Sequence, residues 1–284
     1  MRRRGVNPLS PPARLDGGCV VRASGSSFAP AFRLLPPERR SDLETLYAFC
    51  RAADDIADHG DHDLNTRREA LEEWRAAFLD PGLHGAPEDL RSMMQRRKLA
   101  PGLFVELLDG IATDLHSPVR MNARADLDLY CHRVAGVVGL LCLPIFGADS
   151  ARCRDYAETL GRALQYTNIL RDTASDLKRG RIYYPLDELT ASGLDDGSFM
   201  RDDGKRRDYL ETFAAGAAEL FTIASDQLPA ADRRALRPAR MMAAVYAKLL
   251  RKMRVDGLRV TEQRYRLTSA EKITALAEVM LGRQ

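Results

Sequence analysis

Two short stretches each place several oxygen- and nitrogen-bearing side chains on one helical face. In "YAFCRAADDIAD" the residues Tyr47, Arg51, Asp54 and Asp58 stand at offsets 0, 4, 7 and 11. In "QYTNILRDTASD" the residues Gln165, Asn168, Asp172 and Asp176 stand at offsets 0, 3, 7 and 11. An α-helix turns about 100° per residue, so each set falls on one stripe. The flanks are apolar, with Leu46, Phe49 and Ile56 around the first set and Leu164, Ile169 and Leu170 around the second. Both helices should therefore be packed, with the stripe facing something other than apolar core. Two carboxylates at i, i+4 repel each other, and in a desolvated cleft they would take up protons rather than stay charged. A hard divalent cation removes the conflict. Mg²⁺ takes oxygen ligands, keeps several waters and bridges one or two carboxylates to phosphate oxygens. Two such faces opposed in a bundle would hold several Mg²⁺ ions, with Mn²⁺ as the alternative, and a polyphosphate would be the bridged ligand.

Either pair of aspartates alone would more often be a solvated face. The argument comes from having two, each inside an apolar helix and each in register with an amide, Arg or Tyr. Asp55 points off the Asp54–Asp58 line and reads as a surface charge. Arg171, Lys178, Arg179 and Arg181 cluster at and beyond the second motif and could take diphosphate oxygens. Lys178 and Arg179 fit a cationic helix C-terminus equally well. The two histidines of "DHGDH" (58–62) lie past a helix end and read as solvated, as does His132 on its helix surface.

The elements that must carry these residues are helices. Ala, Leu, Arg and Glu dominate and β-branched alternation is nearly absent, which predicts helices over 38–59, 66–79, 86–97, 101–115, 125–147, 150–177, 205–228, 230–254 and 268–282. Asn65 is the expected N-cap of the second and "DPG" (80–82) its stop. Thr268 with Glu271 forms a capping-box pattern at the last. The apolar run 134–148 contains Pro144 and is short for a bilayer, which predicts a core helix. Gly136 and Gly139 within it cost helix stability. A wall admitting a long chain, a kink or close helix packing would each explain them.

The 284 residues are 45% apolar and 29% charged, with a formal net charge of +3. That is enough for a sizeable core and too balanced for a nucleic-acid footprint. Five scattered cysteines show no paired spacing and read as reduced thiols of an intracellular protein. "MRRRG" has no apolar segment behind it, so no secretory leader is expected. Residues 1–23, rich in Arg, Pro and Gly, read as a flexible extension, and 24–284 as one all-α domain without an internal linker or repeat.

At these same residues the sequence resembles the squalene/phytoene synthase family. The likeness runs through "SSF…AFRLLPPERR" (26–40), "LYAFCRAADDIAD" (46–58), "YCHRVAGVVG" (130–139), "LGRALQYTNILRDTASDLKRGRIYYP" (160–185) and "RPARMMAAVYAKLL" (237–250). It implies a single-domain, all-α isoprenoid-synthase bundle with a central cavity. It implies Asp54, Asp58, Asn168, Asp172 and Asp176 as Mg²⁺ ligands, with the four aspartates as the catalytic set. Ser26, Ser27, Tyr47, Arg51, Gln165, Arg171 and Tyr246 would bind the diphosphates or order the carboxylates.

The chemistry implied is head-to-head joining of two prenyl diphosphates. An allylic C–O bond ionises, the C2–C3 double bond of a second prenyl diphosphate attacks the cation, and loss of a proton closes a cyclopropane. Within the family, the length and the runs 31–40 and 237–250 look most like bacterial members that make presqualene diphosphate from farnesyl diphosphate and pass it to a downstream hopanoid-pathway enzyme. No GxGxxG motif and no C-terminal membrane helix is seen, so NADPH is not expected. The alternatives are a phytoene or dehydrosqualene synthase, the former using geranylgeranyl diphosphate, and an inactive scaffold of the same fold. A cytoplasmic location is expected, with transient contact at the inner membrane face through the basic N-terminus and an apolar face.

Overall fold

The computed structural model describes residues 7–24, 35–58, 61–116, 118–195, 197, 199 and 203–281. Its contacts divide the chain into two compact units, residues 1–116 with 144–147, and residues 117–143 with 148–284. Helices dominate both, as the composition predicts.

The first unit is built from α1 (Gly17–Ser24), α2 (Pro37–Asp58), α3 (Leu64–Leu79), α4 (Glu88–Arg97) and α5 (Pro101–Thr113). Its centre is aromatic. Phe49 of α2 meets Trp74 and Phe78 of α3 and Phe104 of α5, with ring centroids 5.3, 5.4 and 5.3 Å away. This cluster fixes which face of α2 is buried and so aims the Asp54–Asp58 stripe away from it. Asp63, not Asn65, caps α3, because its Oδ1 accepts from the Asn65 and Thr66 amides. The helix ends at Leu79, before "DPG". Within 7–24, where composition predicts a flexible extension, the chain forms α1 and makes specific contacts. Trp74 Nε1 donates to Leu9 O at 3.2 Å, and Leu15 and Val21 are buried. Isolated apolar residues spaced among Pro and Gly carry no periodicity, so this packing is invisible to a pattern search.

Asp42 of α2 is buried and held by Arg96 and Arg97 of α4 at 2.5 and 2.6 Å. Removing a buried partner strands the charges it served. Asp42→Asn should cost about 3 kcal/mol in urea unfolding; a change within experimental error would contradict this.

The second unit contains a two-residue parallel pairing of β1 (Val119–Arg120) with β2 (Arg181–Ile182). It also contains α6 (Arg124–Cys131), which passes through a π-helical turn (His132–Gly136) into α7 (Val137–Phe146); α7's last three residues belong to the first unit. α8 (Arg154–Lys178), α9 (Leu186–Ala191), α10 (Asp203–Asp226), α11 (Arg237–Val255) and α12 (Ser269–Met280) follow. The continuous stretch Arg124–Phe146 is long and apolar enough to cross a membrane by length and composition, and half of it is buried in the fold. Its glycines serve close packing. A Cβ on Gly139 would lie 2.7 Å from Ala157 O of α8, and one on Gly161 of α8 would lie 2.7 Å from Ala135 O. The expected helix over 230–254 starts later, at Arg237, with Pro238 in its first turn. Thr268 and Glu271 form the expected capping box of α12. The five cysteines are all free.

Candidate active site

In the first unit, Tyr47, Arg51, Asp54 and Asp58 lie along α2 as their spacing requires. Asp54 keeps a solvent-accessible face, but protein crowds it from most sides. Burial, then the Asp58 carboxylate, pushes its acid up to about 7, against the pull of Arg51. Asp114, the residue after α5, adds to the same negative field, a contribution the sequence does not signal because sixty residues separate the two acids. Arg51 itself pairs with Asp55 at 2.6 Å, as an ordinary helix-face charge would, and this draws the guanidinium off the Asp54–Asp58 line. The motif thus carries more negative charge than its own arginine offsets, which is the electrostatic signature of a cation site.

In the second unit, α8 carries Gln165, Asn168, Arg171, Asp172 and Asp176, and α11 carries Tyr246. Asn168 Nδ2 donates to Gln165 Oε1 at 3.2 Å, while Asn168 Oδ1 is buried with no hydrogen-bond partner. A buried carbonyl oxygen without a donor is costly, and a hard cation would satisfy it. Arg171 grips Asp172 next to it through Nε, at 3.0 Å, and Nη2. Burial pushes the Asp172 acid up, but the hydrogen bonds and charges of Arg171 and Arg264 outweigh it and hold it below the ordinary range. Tyr246 is buried and hydrogen-bonded to Arg171 and Asn168, and burial raises its phenol despite them. Asp176, one turn on, acts on the buried Tyr184 phenol, whose hydroxyl is 2.7 Å from Thr173 Oγ1. Lys178 and Arg179 are exposed at the helix end.

Arg264 was not legible in the sequence. Its Nε donates to Asp172 Oδ1 at 2.7 Å across 92 residues of chain. The loop that delivers it is gathered around Asp256, whose Oδ2 accepts from Tyr265 Oη at 2.5 Å and Gln263 Nε2 at 2.8 Å. Val260 O in the same loop accepts from the Ala174 amide in α8 at 3.1 Å, which pins the loop beside the motif.

Ser26 and Ser27 lie outside the described residues. Among the described residues no three His, Cys, Asp or Glu side chains converge as a ready metal cage. Mg²⁺ does not need one, since one or two carboxylates plus phosphate oxygens and water complete its shell. The donor set therefore fits an ion bound together with a phosphorylated ligand.

The model of the squalene/phytoene synthase family matches residues 21–271. The chain belongs to the squalene/phytoene synthase family. It is 39% identical over 244 residues to presqualene diphosphate synthase of Zymomonas mobilis, covering 84% of this chain and 83% of that one. It is 33% identical over 271 residues to phytoene synthase of Mycobacterium bovis, covering 92% and 88%. Both relatives are prenyltransferase-type enzymes. Among solved structures, a dehydrosqualene synthase in complex with ligand superposes with a TM-score of 0.82 at 24% identity, over 94% of this chain and 95% of that one. That likeness supports the all-α isoprenoid-synthase fold. The divalent-metal habit of squalene/phytoene synthases agrees with the oxygen-only donors of both motifs.

Proposed function

We propose that this chain joins two farnesyl diphosphates head to head, giving presqualene diphosphate and free diphosphate. The observation that carries the reading is Asn168 Oδ1, buried and unpartnered in the same cluster as Arg171, Asp172 and Tyr246. When bound, Mg²⁺ would stabilise the negative charge that develops on the departing diphosphate. Asp54 and Asp58 in the first unit, and Asn168, Asp172 and Asp176 in the second, are the residues that would hold such ions, with Mn²⁺ as a substitute. Arg171 is the guanidinium placed to take diphosphate oxygens once Asp172 turns to a cation. Gln165 orients the Asn168 amide, leaving its oxygen for the ion. Tyr246, packed behind Arg171, keeps water from the spot where an allylic cation would form.

Loss of the allylic C–O bond, attack by the second substrate's C2–C3 double bond and loss of a proton then balance the reaction without a reductant. NADPH is accordingly not part of the proposed chemistry. Hand-over of the product to a hopanoid-pathway enzyme, and a cytoplasmic site of action at the inner membrane face, belong to the same reading. A phytoene-type reaction on geranylgeranyl diphosphate is the second reading, favoured by the 33% identity to a phytoene synthase over most of the chain. A scaffold role is disfavoured, because a protein without ligand gains nothing from a crowded acidic stripe where burial, then the Asp58 charge, raises the Asp54 acid to about 7.

The test is purified protein with Mg²⁺ and either farnesyl or geranylgeranyl diphosphate, with and without NADPH, and products identified by mass. Presqualene diphosphate from farnesyl diphosphate, unchanged by NADPH, is expected. Phytoene from geranylgeranyl diphosphate alone would transfer the assignment to the second reading. No coupled product from either would refute both.

A further inference from the structure

Two guanidinium groups serve Asp172. Arg171 Nε donates to Oδ1 at 3.0 Å and its Nη2 to Oδ2, and Arg264 Nε adds a second donor to Oδ1 at 2.7 Å. A carboxylate offers about four lone-pair sites, so most of its capacity is taken, and by charged donors. Asp172 is mostly buried and Arg264 half-exposed. An ion pair with one partner in solvent is weak when that side chain is free to move. Arg264 is not free, because the loop that carries it is itself tied down.

Gln263 and Tyr265 stand on either side of Arg264 in the chain, and both donate to Asp256 Oδ2, at 2.8 and 2.5 Å. Arg259 Nε and Nη2 donate to the same oxygen at 3.3 Å. Leu258, Val260 and Tyr265 are buried, which fixes the rest of the loop. At its far end Lys252 Nζ donates to Arg266 O at 3.1 Å. Asp256 directly follows α11, at the helix end where the macrodipole disfavours an acid. A carboxylate there is a cost unless it gathers donors. Among those it gathers are the two neighbours of Arg264.

The two motifs therefore differ in how their charge is met. In the first, the motif's own arginine is engaged by Asp55. In the second, two arginines sit on one carboxylate. A divalent ion approaching Asp172 meets both of those positive charges, and like charges a few ångströms apart repel strongly in a partly desolvated site. A diphosphate brings the negative charge that offsets them. We propose that Arg264, held in place by Asp256, is a counter-charge that makes Mg²⁺ binding at Asp172 conditional on a diphosphate. Asp256 is then a positioning residue, acting through Arg264 and not on the substrate. This role rests on the reading of Asp172 as a metal ligand, and names what keeps that ligand from Mg²⁺ alone. A purely structural staple is the competing account of the same contacts, and it predicts no change in the metal requirement.

The test is the melting temperature of the full chain titrated with Mg²⁺, with and without a non-hydrolysable farnesyl diphosphate analogue. Without the analogue, Arg264→Gln should lower the Mg²⁺ concentration for half-maximal shift at least about 10-fold. Asp256→Asn should lower it in the same direction. The two substitutions together should match Arg264→Gln alone within about 2-fold, because Asp256 acts through Arg264. Adding Asp172→Asn to Arg264→Gln should abolish the gain, which locates it at Asp172. Tyr265→Phe takes one hydroxyl from the Asp256 hub and should give a smaller fall, which keeps the test open if Asp256→Asn does not fold. An unchanged or higher Mg²⁺ requirement in Arg264→Gln overturns the counter-charge role, whatever its own melting temperature. So does an Asp256→Asn effect that multiplies with that of Arg264→Gln. A wild-type chain with no Mg²⁺-dependent shift even beside the analogue would instead sink the metal reading, and this role with it.

Discussion

Asp54→Asn is expected to make the metal-free protein more heat-stable at pH 8 while lowering turnover at least about 10³-fold. Burial and the Asp58 charge raise the folded-state acid to about 7, above its value in an unfolded chain. Between those two values the folded state binds the extra proton, so this group's contribution to stability falls as pH rises through the window. At pH 8 the carboxylate is ionised in both states and its repulsion is fully felt. An amide of the same shape removes the charge. The melting temperature of metal-free protein should rise by roughly 3 °C at pH 8, and by less at pH 5. Asp172→Asn should cut turnover comparably but move stability the other way. Arg171 and Arg264 hold that carboxyl below the ordinary range, so its charge supports the fold above the unfolded value and that support is lost as pH falls. Scanning fluorimetry without metal, beside an assay of diphosphate release, reads both variants. A drop in melting temperature for Asp54→Asn at pH 8 would contradict the electrostatics of the first motif.

Gly161→Ala should be among the most damaging single-methyl additions to this chain. The new Cβ would lie 2.7 Å from Ala135 O and 2.8 Å from both Ala135 C and Gly136 Cα. All three are backbone atoms, and no rotamer change moves them aside. Relief requires α8 to retreat from the π-helical turn, at a cost of roughly 3 kcal/mol and a fall in melting temperature of about 8 °C. The same shift would disturb the motif further along α8, so activity should fall with stability. Gly216 in α10 is the control, since its Cβ would meet nothing within 4 Å. Gly216→Ala should stabilise by about 0.8 kcal/mol through helix propensity alone. Equal melting temperatures for the two variants would show that the helices are not in close contact at Gly161.

Much of this architecture could be read from spacing. The two polar stripes each occupy one helix, and the "DPG" stop and the Thr268–Glu271 box stand where composition puts them. For the glycines of the 134–148 run, spacing leaves a cavity wall, a kink and close packing open, and only the contact at Gly139 decides for packing. Features that depend on distant segments could not be read. Arg264 reaches Asp172 only because the Asp256-centred loop is pinned at Ala174, and neither contact leaves a periodic trace. Asp114 adds charge to Asp54 from the end of another helix. The π-helical turn at 132–136 follows from how α6 and α7 seat on α8, which local propensity does not encode. Asp63 took the cap expected of Asn65 because both have suitable side chains and only the chain direction at the turn decides.

The central claim is that these acidic stripes exist to hold divalent cations together with a diphosphate. The most direct measurement is the melting temperature with Mg²⁺ alone, with a non-hydrolysable farnesyl diphosphate analogue alone, and with both. A rise that is large only when both are present, and that disappears in Asp172→Asn, is expected. An analogue that stabilises equally well in the presence of a chelator, or no shift under any condition, would contradict it.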